Sequence, residues 1–145
     1  RQNYGVIMDF TLSENLGLRN YFKEPFSRKG ILNKKAFDSY AETLIDKYDI
    51  RSGQGVRTVV RSMSGGNQQK AIIAREVEQE SDLMIFVQPT RGLDIGAIEN
   101  IRRQMIGERD TIGVIYNGQM QKKADAKTLT TNEVGEFMMG VKRHA

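Results

Sequence analysis

A short apolar run at residues 83–87, with the sequence LMIFV, constrains the fold of this chain more than any other feature of its sequence. The run is far shorter than the roughly 20 apolar residues that a membrane-spanning helix requires. Its length, together with the turn-forming Pro89 and Gly92 that follow it, favours a buried strand over a helix. Because apolar residues recur at helical spacing on both sides of the run, the sequence predicts an α/β fold.

Two helices are predicted before this run by their caps and by their periodicity. Thr11 and Glu14 form a capping-box pattern that opens a first helix, which should end before Pro25. Asn33 caps a second helix. Its apolar side chains fall on one face, which should be buried: Phe37, Tyr40, Ala41, Leu44 and Tyr48.

The remaining elements follow a connecting loop, which the composition of residues 51–62 predicts. Helices are predicted from Asn67 to about Gln79, after Gly92, and from near Asn132 to Met139. Between the last two, the dipeptide at 117–118 has the sequence Asn-Gly, which is typical of a tight turn in a β-hairpin.

The composition excludes several kinds of site. The 145 residues contain no Cys, which excludes disulfides, Cys-ligated metals and thiol nucleophiles. His144 is the only His, which excludes a His-based triad or metal cluster. Lys plus Arg number 22 against 18 Asp plus Glu, a net charge of +4, but basic and acidic residues alternate, as at Arg75 and Glu76, instead of forming a stripe. We therefore expect neither a nucleic-acid partner nor a metal site in this chain.

The stretch at residues 63–70, with the sequence MSGGNQQK, has the composition of an anion-binding helix start. Ser64 is a suitable cap, and Gly65 and Gly66 allow phosphate oxygens to approach the backbone. The N–H groups of a first helical turn have no partner within the helix, and the helix dipole favours negative charge there. From the residues alone, a phosphate site and an ordinary capped helix start remain equally open.

Residues 63–70 resemble the LSGGQ signature motif of ABC transporter ATPases, in the form typical of sugar and nucleoside importers. Residues 83–94 follow at the usual separation and are similar to the Walker B strand, the Pro-Thr turn and the D-loop of that family. The resemblance covers nearly the whole chain, and it is closest to the second, C-terminal ATPase half of tandem-cassette importers. It implies that ATP contacts six residues of this chain: Ser64, Gly65, Gly66, Asn67, Gln68 and Asp94.

The resemblance also implies a fold, a partial RecA-type ATPase core with a helical subdomain and without its P-loop part. Residues 1–63 would form the mainly helical subdomain with its N-terminal lead-in. Residues 64–145 would form the remainder of the α/β core with a C-terminal hairpin and helix. Family members carry a further strand, switch loop and helix where this chain joins Asp110 to Thr111. We therefore expect a stretch to be missing at 110/111, and the marginal stability of domains favours omitted residues over a true deletion.

Two departures from the family pattern concern hydrolysis. Val87 and Gln88 stand where the family has an Asp that supports Mg²⁺ and a Glu that polarises water, and neither side chain replaces a carboxylate in these roles. The P-loop pattern GxxxxGK[ST] does not occur in the 145 residues. We expect no intact catalytic residues, a chain that is inactive alone, and Mg²⁺ on the partner's site.

Two functions remain open. By resemblance, the chain is a nucleotide-binding-domain fragment of a nucleoside or sugar importer, and it offers its signature motif to ATP bound on a companion ABC ATPase domain. Its further partners would be membrane permease subunits and, indirectly, an extracytoplasmic solute-binding receptor, which would place it peripherally at the cytoplasmic face of the cell membrane. The alternative is a generic phosphate- or nucleic-acid-binding module that uses the helix start at Ser64 and the net positive charge.

Overall fold

The computed structural model describes residues 5–79, 81–90, 93, 95–107 and 110–141, without the side chains of Ile95 and Ala97. The chain divides into two compact units, Arg1–Asp94 and Ile95–Ala145. The predictions that concern Asp94, His144 and the Arg109 side of the 110/111 junction lie outside the described residues. Within the described ranges, the structure contains no helix with the length and apolarity needed to cross a membrane.

The first unit is mainly helical. Its elements are, in chain order, helix α1 (Leu12–Gly17), the antiparallel strands β1 (Ser27–Arg28) and β2 (Ile31–Leu32), helix α2 (Lys34–Lys47), and helix α3 (Gly65–Val77). The predicted loop before α3 contains two short 3-10 turns, Gly55–Arg57 and Val60–Ser62.

The caps and the buried face of the first two helices confirm the sequence predictions. The Thr11 hydroxyl accepts a hydrogen bond from the Glu14 backbone N–H at 3.2 Å, and the Glu14 carboxylate accepts one from the Thr11 N–H at 2.8 Å. The Asn33 side chain accepts from the N–H of Ala36. The apolar face of α2 packs against α1 and shares a core cluster with residues of α3; its buried residues are Phe37, Ala41, Leu44 and, at the C-cap, Tyr48, whereas Tyr40 is partly buried.

The lead-in before α1 is held by buried polar side chains. Asn15 is 1% exposed; its Oδ1 accepts from the Ile7 N–H at 2.8 Å, and its Nδ2 donates to the carbonyls of Ile7 and Thr11 at 2.9 and 3.0 Å. From helix α3, the buried Arg75 guanidinium donates to the Gly5 carbonyl at 2.8 Å. Because buried backbone groups are costly to leave unpaired, these side chains make the lead-in part of the first unit.

The predicted buried strand at 83–87 is wrong. These residues form no strand in the structure, and Leu83, Ile85 and Val87 are 76%, 77% and 82% exposed. A strand needs a neighbour whose N–H and C=O groups complete its hydrogen bonds. The ladders among the described residues join β1 to β2 and β3 to β4, and neither reaches this run. The composition favours a strand, but neither of these ladders pairs with residues 83–87.

The second unit packs two helices with a hairpin. Its elements are helix α4 (Ile95–Ile106), strands β3 (Thr111–Tyr116) and β4 (Gln119–Asp125), and helix α5 (Thr131–Met138). Asn117 and Gly118 connect the strands with φ angles of 49° and 74°, the left-handed geometry that a tight hairpin turn requires. The hairpin and both helices confirm the predictions. The core of this unit contains Val114, Val134 and Phe137.

Candidate functional site

Helix α3 begins within the stretch that the sequence singled out for anion binding. Ser64 is its N-cap, with φ −62° and ψ 152°, and the Ser64 Oγ accepts a hydrogen bond from the Asn67 N–H at 3.4 Å. The helix therefore starts at Gly65, earlier than the predicted start at Asn67. Because glycine has low helix propensity, the sequence pattern did not indicate that the helix already includes this first turn. The start places Gly65 and Gly66 in the first turn.

Gly66 stands where the fold does not require a glycine. Its backbone is helical, whereas the left-handed glycines of the described ranges are Gly30, Gly55, Gly118 and Gly140. A Cβ at Gly66 would lie 3.8 Å from Leu93 Cδ2, which is an ordinary van der Waals contact. A helical glycine costs about 1 kcal/mol of stability relative to alanine. The absence of a side chain at Gly66 therefore leaves space that the packing of the described residues does not fill.

Asn67 connects the cap to the preceding loop. Its Nδ2 donates to the Ser64 Oγ at 3.0 Å, and its Oδ1 accepts from the backbone N–H of Arg51 at 2.9 Å. The side chain of Asn67 thus bridges the Ser64 hydroxyl and the loop that follows helix α2. The sequence singled out Asn67 but not Arg51, because the contact joins residues 16 positions apart and leaves no local pattern.

Gln68 lies beneath the helix start. Its side chain is buried, and its Nε2 donates to the carbonyls of Val60 and Met63, each at 3.1 Å. Met63 immediately precedes the cap, so these bonds fix the chain as it enters Ser64. The structure therefore places Gln68 in a supporting position below the exposed face of the helix start.

A buried lysine ties α3 to the end of α2. Lys70 Nζ donates to the Asp49 backbone carbonyl at 2.6 Å and to the Asp49 carboxylate at 2.7 Å. Asp49 adopts a left-handed φ of 49°, a conformation that Asp tolerates at a helix C-terminus. Sequence reasoning missed this pair, whose members are 21 positions apart.

The Lys70–Asp49 bond makes the stability of the first unit depend on pH in the acidic range. The hydrogen bond from Lys70, and then its charge, hold the pKa of Asp49 below its ordinary value of 3.8. A carboxylate with a lowered folded-state pKa contributes stability above its unfolded pKa, and this contribution is lost as the pH falls through the folded value. We expect the free energy of unfolding of the first unit to fall as the pH falls below about 4. Asp49→Asn should reduce the slope of this free energy against pH. Urea titrations at several values between pH 2 and pH 6 measure this slope.

The matched control for this prediction is Asp46→Asn, because Asp46 lies on the exposed face of α2. The control should keep the acid slope of the parent chain. Equal slopes for the parent chain and for Asp49→Asn would contradict the role given to the Lys70–Asp49 bond.

A groove lies beside the helix start. Its volume is about 650 Å³, and it is lined by residues 51–54, 58–59, 62–64 and 67. The lining contains hydroxyl and amide groups, one cation, Arg51, and the apolar side chains of Val59 and Met63. The structure therefore places Ser64 and Asn67 at one open groove.

The Walker B positions lie outside this groove. Val87 and Gln88 are both exposed, and neither lines it. Gln88 has a left-handed φ of 46°. Among the described residues, no group of three or more His, Asp or Glu side chains is placed to hold a metal ion.

Comparison with known proteins identifies relatives along nearly the whole chain. No protein-family model matches the sequence. A nucleoside import ATP-binding protein of Lactococcus lactis is 39% identical, and a guanosine import ATP-binding protein of Bacillus subtilis is 38% identical; each match covers 97% of this chain and 31% of the relative. A ribose import ATP-binding protein of Oceanobacillus iheyensis is 29% identical over 99% of this chain and 32% of the relative.

The matches also show that the relatives are longer than this chain. The chain spans about a third of the length of the relatives. The aligned stretches, of 160 and 164 residues, are longer than the 145 residues of this chain, so the relatives have internal positions without a counterpart here. The resemblance predicted from residues 63–70 and 83–94 is confirmed: nearly the whole chain is homologous to about a third of an ABC importer ATP-binding protein of the nucleoside and sugar type.

Proposed function

We propose that this chain presents the start of helix α3 to the triphosphate of an ATP molecule held by a companion ABC ATPase domain, within an importer of nucleosides or sugars. The names of the relatives support this solute class, since they import nucleosides, guanosine and ribose. The proposal assigns the groove beside Ser64 to the side of the site that faces the companion domain.

The observation that carries the proposal is Gly66. The fold tolerates a Cβ at this position, yet the sequence has a residue that weakens the helix. A phosphate group that approaches the first-turn backbone explains the glycine, because a side chain would stand between the N–H groups and the phosphate oxygens.

The other residues of the helix start fit a triphosphate. Ser64 is exposed at the cap and supplies a hydroxyl, and Gly65 and Gly66 supply backbone at the positive end of the helix dipole. Bound at this place, ATP would bring Mg²⁺ on the companion's side of the site. In this proposal Asn67 and Gln68 belong to the site, and Asp94 contributes from the D-loop.

The chain's own catalytic positions are degenerate in this proposal. Val87 and Gln88 occupy the places of the two Walker B carboxylates, so hydrolysis depends on the companion domain.

The further partners of the chain are the permease subunits and, through them, an extracytoplasmic solute-binding receptor. The chain itself lies at the cytoplasmic face of the membrane in this proposal. In this proposal the chain belongs to a second ATPase half and lacks a stretch at 110/111, where the extra internal positions of the relatives would fall.

A single thiol at the helix start tests the proposal. The chain has no Cys, so Ser64→Cys gives it one reactive group, whose alkylation is followed by mass spectrometry of this chain. In the importer assembled with its companion domain, MgATP should slow alkylation at position 64, because the bound triphosphate and the companion domain cover the thiol. Unchanged alkylation in the assembled importer would contradict the proposal.

The matched control is Ser39→Cys, on the exposed face of α2. MgATP should leave its alkylation unchanged. In the chain without a companion domain, MgATP should leave both thiols unprotected. Protection of position 64 by ATP or tripolyphosphate in the chain alone would favour the generic phosphate-binding module instead.

A further inference from the structure

The side chain of Asn67 has two hydrogen-bonding partners that determine its role at the site. We infer that Asn67 is a positioning residue, which fixes the Ser64 hydroxyl as a hydrogen-bond donor toward phosphate. This inference rests on the proposed function and assigns a specific task to one side chain of the same site.

The orientation of the Asn67 amide follows from its contact with the loop. A backbone N–H donates and does not accept, so the Asn67 atom that lies 2.9 Å from the Arg51 nitrogen is the carbonyl oxygen. The amide nitrogen then faces the Ser64 Oγ, at 3.0 Å. The Arg51 N–H thus determines which end of the amide reaches the cap.

The orientation of the Ser64 hydroxyl follows in turn. A serine oxygen has two lone pairs and one O–H. Both lone pairs face donors of Asn67, the Nδ2 at 3.0 Å and the backbone N–H at 3.4 Å. Because neither donor accepts a hydrogen bond, the Ser64 proton points away from Asn67. Ser64 is exposed and lines the groove, so the O–H is directed to an acceptor from outside.

The loop and the chain before the cap hold this arrangement in place. Gln68 Nε2 binds the carbonyl of Met63, which fixes the backbone on the N-terminal side of Ser64. In the loop, the Thr58 hydroxyl accepts from the Gln54 N–H at 2.8 Å. These bonds order the chain on each side, and the Asn67 side chain connects the two segments.

The consequence for chemistry is preorganisation. A serine in water rotates its hydroxyl and loses that freedom on binding, whereas a hydroxyl that is already aimed as a donor requires less reorganisation when an anionic oxygen arrives. A hydrogen bond to a charged acceptor is also stronger than one between neutral groups. Asn67 therefore acts through Ser64, without itself touching the phosphate.

A double-mutant cycle in the assembled importer tests this role. Asn67→Leu, which is similar in size and makes no hydrogen bond, should lower the maximal rate of ATP-driven uptake about tenfold in the parent background. In a Ser64→Ala background, the same change should alter the rate by less than about twofold, because the hydroxyl it positions is gone. Equal losses in the two backgrounds would overturn the inference.

Hydrogen exchange in the 145-residue chain supplies a readout that does not depend on transport. Asn67→Leu should accelerate exchange of the Arg51 amide, whereas Asn67→Asp, which keeps an acceptor facing Arg51, should leave it protected. Asn67→Asp should nevertheless lower uptake in the parent background, because its carboxylate accepts the Ser64 proton. Its loss in the Ser64→Ala background measures charge repulsion alone, and a loss as large as in the parent background would overturn the inference.

A matched control separates failure of this inference from failure of the proposed function. Asn132→Leu, on the exposed surface of α5, should change neither uptake nor exchange at Arg51. If Ser64→Ala lowers uptake while Asn67→Leu does not, the inference fails and the proposed function stands. If ATP fails to protect the thiol of Ser64→Cys in the assembled importer, the proposed function fails.

Discussion

If the proposed function is correct, we expect Gly65→Asp to abolish ATP-driven uptake by the assembled importer. The substitution places a carboxylate in the first turn of α3, where the proposed function puts a triphosphate, and charge repulsion adds to the bulk of a side chain. Loss of a preorganised donor in a catalytic site costs about 10²–10³ in rate, and the repulsion increases this loss. Uptake of radiolabelled nucleoside by vesicles that contain the complete importer measures the effect.

The design has two internal controls. An acidic residue in a first helical turn stabilises a helix, so Gly65→Asp should leave the first unit folded, as circular dichroism reports. Gly66→Ala adds one methyl group without charge; it should raise the free energy of unfolding by up to about 1 kcal/mol and still lower uptake. Normal uptake by a folded Gly65→Asp importer would contradict the assignment of this helix start to ATP.

We expect Asn15→Leu to destabilise the first unit by about 1–3 kcal/mol, because it leaves the Ile7 N–H without its hydrogen-bond partner. The carbonyls of Ile7 and Thr11 each lose one of two donors, since the backbone N–H groups at positions 10 and 15 still donate to them. Leucine has a similar size, so the loss reports hydrogen bonding more than a cavity. Urea unfolding followed by hydrogen exchange in α1 and α3 measures the change.

Asn132→Leu is the control here as well, since an exposed substitution of the same kind should stay within about 0.5 kcal/mol of the parent chain. A loss below about 1 kcal/mol for Asn15→Leu would show that water replaces the side chain at the lead-in, and would contradict the role given to Asn15.

Local signals in the sequence predicted most of the helices and the hairpin. The cap at Thr11, the cap at Asn33 and the dipeptide at 117–118 act within four residues of themselves, so neighbouring sequence contains all the information that they need. The strand at 83–87 failed for the opposite reason, because a strand depends on a neighbour elsewhere in space.

The residues of the candidate site also fall into two groups, those that a local motif predicts and those that depend on tertiary contacts. The motif resemblance predicted Ser64, Gly65 and Gly66, which lie together at the start of α3. It did not predict the contacts that support them, such as Arg51 with Asn67 and Asp49 with Lys70, because these pairs meet only after α2 and α3 have packed. Such tertiary contacts leave no periodicity in one sequence.

The bond between Arg75 and the Gly5 carbonyl joins residues 70 positions apart, and this separation sets an order of events during synthesis. The lead-in is translated before its partner on α3, which follows α1 and α2 along the chain. Until Arg75 emerges, α1 and the lead-in lack the guanidinium that completes their hydrogen bonds, and the apolar side chains of α1 and α2 lack their partners on α3. The helix that begins at the proposed ATP contact is thus also the last element needed to complete this unit.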